Sequence, residues 1–138
     1  MATAKSAKPA TATSYTADQR RAIETAGVDM CVDAGAGSGK TRVLVDRMAH
    51  LLADEKLQLN EIVAITFTEM AAAEMKKRLR REFRARALMD DSRRMNFWRG
   101  LERQVSSARV TTIHSFCATL LRENALAIGI DPVIDTAL

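Results

Sequence analysis

The chain has 138 residues, 47% hydrophobic and 28% charged, with a formal net charge of +4. Apolar and charged fractions near those of ordinary folded proteins exclude wholesale disorder, and the length suits one domain burying about two thirds of its unfolded surface. No stretch approaches the ~20 consecutive apolar residues that cross a bilayer, and the N-terminus has no apolar secretory core. The expectation is a cytoplasmic, nucleoid-associated protein without membrane contact.

In chain order, Met1 to Ser14 are Ala, Thr, Ser, Lys and Pro without periodicity, too poor in apolar surface to offset the entropy of ordering, and are expected as a disordered tail. Thr16-Ala17-Asp18-Gln19 fits a capping box ahead of a short helix that reaches about Ala26 and ends at Gly27. Val28 to Ala34 is a short apolar run leading into glycines, as a buried parallel strand would be. From Lys40 to about Ala53, Val43, Leu44, Met48, Leu51 and Leu52 recur at helical spacing. Ile62 to Phe67 is apolar and rich in β-branched residues, which predicts a second strand.

Thr68 can cap a long helix over Glu69 to Met89, and after a polar break at Asp90 to Ser92 a further helix covers Arg93 to Val105. Arg109 to Ile113 reads as a third strand and Ser115 to Ile128 as a helix ended by Gly129, with Asp131-Pro132 forcing an extended exit. Alternating strands and helices imply parallel βαβ units and an α/β layered fold, with residues 15–138 as one domain. Three strands leave long unpaired edges, so the chain is expected to be the front part of a larger domain, an idea that the strandlike Val133-Ile134 fits.

The basic residues are unevenly placed. Between Lys76 and Arg103 there are eleven Lys or Arg against four acids, so this segment carries +7 and the remainder −3. A local excess of this kind fits either contact with a polyanion or a solvated helix face. Cys31 and Cys117 lie far apart without metal-ligand spacing and read as reduced, partly buried small apolar residues.

Between the first expected strand and its helix lies Ala34-Gly35-Ala36-Gly37-Ser38-Gly39-Lys40-Thr41, the strand–loop–helix setting of a phosphate-binding loop in its relaxed form, with Ala at the first position. Glycines let successive N–H groups converge on a phosphate, and the helix N-terminus adds partial positive charge. Lys40 would reach the β- and γ-phosphates of a nucleotide, and the Thr41 hydroxyl would ligate Mg²⁺. Hydrolysis needs a further acid at a strand end. Leu51-Leu52-Ala53-Asp54-Glu55 continues the helix from Lys40, and Asp90-Asp91 closes a basic helix, so neither supplies it. Glu74 stands four residues before Arg78 and reads as half of a surface ion pair. Phe97 and Trp98, beside Arg94 and Arg99, could stack on bases, but the favoured reading is a small helical insertion covering the sheet.

The phrase AGAGSGKTRVLVDRMAHLL, followed by AITFTEMAAAEMKKRLR and then TTIHSFCATLLR, resembles the start of the UvrD/Rep-like superfamily 1 DNA helicases, and its wording is nearest the AddA- or RecB-type helicase–nuclease subunits. In place of the aromatic that often follows Asp-Pro in the AddA pattern, this chain has Val133-Ile134-Asp135. The resemblance implies an incomplete RecA-like P-loop NTPase domain with parallel strands and flanking helices, a basic helical segment over about 69–105, and the cofactors ATP and Mg²⁺. It implies single-stranded and duplex DNA as partners, a possible second helicase–nuclease subunit, and ATP-driven translocation and unwinding, 3′ to 5′, in recombinational repair.

By motif, Gln19 resembles the residue that reads the adenine edge and Arg42 the arginine that packs on the base. From the residues alone, Gln19 is more simply half of a capping box. Thr66, Phe67 and Thr68 match the first DNA-contact motif and Thr112, His114 and Ser115 the next. Taken singly, Phe67 reads as core and His114 as a hydrogen-bonding residue at a helix start. Two alternatives stay open: another P-loop NTPase or kinase, although the Asn-Lys-x-Asp phrase for guanine is absent, and a truncated non-enzymatic nucleotide- or DNA-binding fragment.

Overall fold

In the computed structural model, which describes residues 14–131, the first helix forms where its cap predicts. Thr16 accepts from the Gln19 N–H and Gln19 accepts from the Thr16 N–H, a closed capping box opening α1 (Ala17–Glu24). Such caps contribute about 1 kcal/mol. Gly39 opens α2 (Lys40–Ala53), and Thr68 accepts from the Ala71 N–H to open α3 (Glu69–Met89). Asp91 caps α4 (Ser92–Gln104), accepting from the N–H groups of Arg93 and Arg94.

Among the described residues the sheet has two parallel strands, β1 (Val63–Thr66) and β2 (Arg109–Thr112), joined through α3 and α4. Their register sets Val63 beside Arg109 and Thr66 beside Thr112, so the two strands end level. Val28 to Ala34, expected as a strand, joins no ladder among the described residues. Its apolar pattern reports a preference for burial, but a parallel strand also needs a neighbour that is remote in sequence, and β1 and β2 take each other. Val28 and Val32 are accordingly 62% and 56% exposed.

One apolar core joins α2, α3, α4 and one sheet face. Met48, Ala49 and Leu52 of α2 meet Leu79, Phe83 and Ala87 of α3, Trp98 and Leu101 of α4, and Val110 of β2. Trp98 is 2% exposed. Its ring stacks on Phe83 with centroids 5.7 Å apart, Phe97 meets it edge-on at 5.0 Å, and its indole N–H donates to Asp90 at 2.9 Å. The pair Phe97–Trp98 therefore serves as the packing of a helical insertion. α1 is fastened to α2 by Arg47, which donates to the Ala22 and Thr25 carbonyls at 2.8 and 2.7 Å.

The last helix departs from expectation in two ways. It begins at Ile113, because Thr112 accepts from the Ser115 N–H as its cap, and it breaks at Asn124 into α5 (Ile113–Glu123) and α6 (Ala125–Ile128). The Asn124 side chain donates to the Leu120 carbonyl at 2.8 Å, offering the backbone a local alternative to the helical ladder. Gly129, at φ 69°, ends α6 as the sequence predicts. No residue of α5 is buried. Cys117 on α5 and Cys31 on the unpaired segment are thus exposed free thiols, where partial burial was expected. Among the described residues, no helix is long and apolar enough to cross a membrane. Residues 1–13 of the expected tail, Pro132 and the strandlike Val133-Ile134 lie outside the described residues.

Candidate nucleotide and nucleic-acid site

The glycine loop turns into α2 through two left-handed residues, Gly37 at φ 75° and Gly39 at φ 82°, a region costly for residues with a Cβ. No side chain caps α2, and its first turn holds no acid. The free N–H groups and the helix dipole therefore face the loop. Lys40 folds back into the loop's curve, its Nζ donating to the Ala34 and Gly35 carbonyls at 2.8 and 2.7 Å. The Ser38 N–H closes a turn on the Gly35 carbonyl at 3.4 Å, which leaves Ala36 and Gly37 at the tip. Thr41, half-buried, follows directly. A loop of backbone donors, one ammonium and one hydroxyl at a helix start suits a polyphosphate with a divalent cation. Thr41 would ligate Mg²⁺, whose charge would neutralise the phosphates. Among the described residues, no cluster of three or more His, Cys, Asp or Glu could hold a metal by itself.

Gln19 closes the capping box that the sequence predicts and also reaches the glycine loop. Its Oε1 accepts from the Thr16 N–H at 2.9 Å, while its Nε2 donates to the Ser38 carbonyl at 3.1 Å, which sets it against the loop. An amide has two donors and two acceptor lone pairs, so one of each remains for a base edge.

Arg42 lies over the Tyr15 ring, 4.6 Å from its centroid, and its Nε is 3.9 Å from Asp46. The Tyr15 hydroxyl donates to Asp46 Oδ2, and Arg86 of α3 donates to Oδ1 at 2.9 Å. Burial, and then the Asp46 hydrogen bond, push the Tyr15 hydroxyl up to about 12. Arg86 also pairs with Glu82 at 2.7 Å and sits over the Trp98 ring at 5.2 Å. This cluster corresponds to no motif in the sequence. Its signal was an acid, Asp46, three residues before the core residue Ala49, and an arginine, Arg86, three after Phe83.

At the strand ends the parallel register brings the two remaining motifs together. Thr66 donates to the Thr68 and Thr111 carbonyls at 3.0 and 3.4 Å, and Thr68 caps α3. Phe67, whose residue type suits a core, is instead 95% exposed at this edge. Thr112 is buried, and its hydroxyl donates to Glu69 at 2.9 Å while accepting from the Ser115 N–H at 3.2 Å, which shapes the turn. The Ser115 hydroxyl meets the same Glu69 oxygen at 3.0 Å. Glu69, another residue the sequence analysis did not single out, thereby ties the two motifs together. His114 and Ser115 are exposed.

Two other readings are resolved by geometry. Glu74 pairs with Arg78 at 2.9 Å, and that hydrogen bond holds its carboxyl below the usual range. Asp54 ends α2 and lies beside His50 at 2.9 Å and Arg94 at 3.7 Å, at a helix end and not at a strand end.

A glycine loop with a lysine and a threonine at a helix start, and a strand edge carrying hydroxyls and an exposed aromatic, are the two features that the site offers. The family model of the UvrD/REP helicase N-terminal domain matches residues 15–137, and the chain belongs to that family. The AddA-type ATP-dependent helicase/nuclease subunit of Lactobacillus delbrueckii subsp. bulgaricus is 43% identical over 122 residues, which cover 88% of this chain and 10% of that protein. The corresponding proteins of Exiguobacterium sibiricum and Alkaliphilus metalliredigens are 39% and 36% identical over 89% and 86% of this chain. The likeness to AddA-type proteins is thus shown. The chain spans about a tenth of the length of these relatives.

Proposed function

We propose that this chain is the nucleotide-binding front of an ATP-dependent DNA helicase motor, in a helicase–nuclease subunit that serves recombinational repair in the nucleoid together with a second such subunit. In this reading Gly35 to Lys40 cradle the phosphates, Lys40 neutralises them, Thr41 ligates Mg²⁺, and Gln19 and Arg42 hold the base. Thr66, Phe67, Thr68, Thr112, His114 and Ser115 grip single-stranded DNA at the strand ends, where open α/β sheets gather ligands. Hydroxyls and N–H groups there suit phosphates, and Phe67 suits stacking without sequence readout. Translocation runs 3′ to 5′.

The observation that carries the reading is Gln19: one side chain closes the α1 cap and touches the glycine loop through Ser38. Equilibrium binding of fluorescent ATP and GTP tests it. ATP is expected to bind at least about tenfold tighter than GTP, with Lys40→Ala removing binding to both. Equal affinity for GTP, or an unaffected Lys40→Ala, refutes it.

A further inference from the structure

The +7 of the basic segment is not spread evenly over α3 and α4. Several of its charges are neutralised locally: Arg78 by Glu74, Arg86 by Glu82 and Asp46, and Arg94 by Asp54. Four of the cations without an ion pair among the described residues, Arg80, Arg84, Arg99 and Arg103, line a groove of about 550 Å³ between the two helices, with Glu102 and Leu88. Arg80 donates to the Ser106 hydroxyl at 3.0 Å, and Arg84, Arg99 and Arg103 make no ion pair among the described residues. One acid against four guanidiniums leaves the groove at +3.

We propose that this groove is a second nucleic-acid site, one that holds the phosphodiester backbone of duplex DNA. Arg80 and Arg84 stand one turn apart on α3, and Arg99 and Arg103 one turn apart on α4. Each pair is therefore spaced by about 6 Å, across packed axes about 8–10 Å apart. This gives two short rows of planar, bidentate donors, a form suited to successive phosphates.

The groove has no aromatic lining, so nothing in it can stack an unpaired base, whereas a duplex needs no such platform. Leu88 is the one large apolar side chain in its walls, too little to anchor an acidic protein segment, which relies on buried apolar or aromatic contacts. Arg80 and Arg84 lie 11 and 15 residues beyond Glu69, about 17 and 23 Å along the helix from the strand ends. The groove is thus separate from the edge assigned to single-stranded DNA.

Fluorescence anisotropy of the chain on a random-sequence duplex and on a single strand, over a range of salt, tests the assignment. Arg84→Ala, Arg99→Ala and Arg103→Ala combined are expected to weaken duplex binding at least about tenfold and to flatten the log–log salt slope by about 2 to 3. Single-strand affinity should change less than about threefold, and Glu102→Gln should tighten duplex binding. Phe67→Ala should show the opposite selectivity, so failure of the strand-end reading and failure of the groove are distinguishable. All three arginines are exposed, so the triple variant should keep the parent's circular dichroism and melting. Unchanged duplex binding in that variant or in Glu102→Gln, or an equal loss for single strand, overturns the proposal.

Discussion

Replacing Asp46 with alanine should be the most damaging single change away from the apolar core. Its side chain is 8% exposed and takes hydrogen bonds from Arg86 and Tyr15 on two other segments. Truncating one partner of a buried ion pair costs about 3–5 kcal/mol when the other charge is stranded. Arg86 is not fully stranded, because Glu82 stays at 2.7 Å and the Trp98 ring lies below the guanidinium. That leaves a lost charged hydrogen bond of about 2 kcal/mol and a half-buried Tyr15 hydroxyl without its acceptor, about 1 kcal/mol more. Arg42, at 3.9 Å and 37% exposed, adds little.

The sum is about 3 kcal/mol, or roughly 12 °C in melting temperature for a chain of this size. Asp46→Asn keeps an acceptor oxygen and should cost about half as much. Urea and thermal unfolding of both variants measure this, and a double-mutant cycle with Arg86→Met should return a coupling of about 1–2 kcal/mol. A cost below about 0.5 kcal/mol for Asp46→Ala, or a coupling near zero, would show that the cluster is a solvated surface feature and refute the reasoning.

Tyr15 is the single tyrosine, so absorbance at the phenolate band follows it alone. It should ionise near 12 in the folded chain and return to about 10 in denaturant. A raised acid pKa means that the folded state holds its proton longer, so the stabilisation from this group is complete below pH 10 and is lost as pH rises toward 12; folded-state ionisation near 10 contradicts the burial argument. The chain by itself should turn over ATP negligibly, since the acid at the carboxyl ends of the described strands, Glu69, is held by the Thr112 and Ser115 hydroxyls. A robust DNA-stimulated ATPase that disappears in Lys40→Ala would be decisive against this. Glu69→Ala frees the Thr112 and Ser115 hydroxyls and should weaken single-stranded DNA binding about three- to tenfold while leaving ATP affinity in place, with Glu69→Gln intermediate. Parallel loss of ATP affinity would mean that the variant damages the fold instead of the strand edge.

The structure places α2 and α3 on the boundaries that the sequence predicts, because their starts are marked locally: Gly39 ends the glycine loop, and Thr68 caps ahead of an Ala-, Glu- and Arg-rich run. The short strand β2 was legible for a similar reason, lying between the polar Ser106-Ser107 and the cap at Thr112. What the pattern could not supply was partnership. Val28 to Ala34 carries the apolar signature of a strand, but pairing is decided by segments far away in sequence. The same limit hid the Asp46–Arg86 pair, whose members are 40 residues apart. In the sequence Arg86 counted as one more cation of a basic segment, although it lies seven residues after Leu79 and three after Phe83, on the buried stripe of α3. The candidate loop was readable as a motif. The shaping of the strand edge by Glu69 was not, because a glutamate at the start of a helix already has an adequate local explanation in the helix dipole.

α3 gives these pieces a common frame. Near its C-terminal end Arg86 grips Asp46, and through it the Tyr15–Arg42 pair beside the nucleotide loop. At its first residue Glu69 grips Thr112 and Ser115 at the strand edge. Its outer face, between these two ends, supplies Arg80 and Arg84 to the groove. One rigid helix of 21 residues thus touches the candidate nucleotide end, the strand edge and the basic groove. Contiguity of this kind becomes coupling only if an element has two arrangements that both sites bias. The element best placed for this is the α2–α3 contact at Asp46, a polar junction where the rest of that packing is apolar. Hydrogen bonds there can be exchanged without opening a cavity, whereas moving Leu79 or Phe83 would cost packing energy at once.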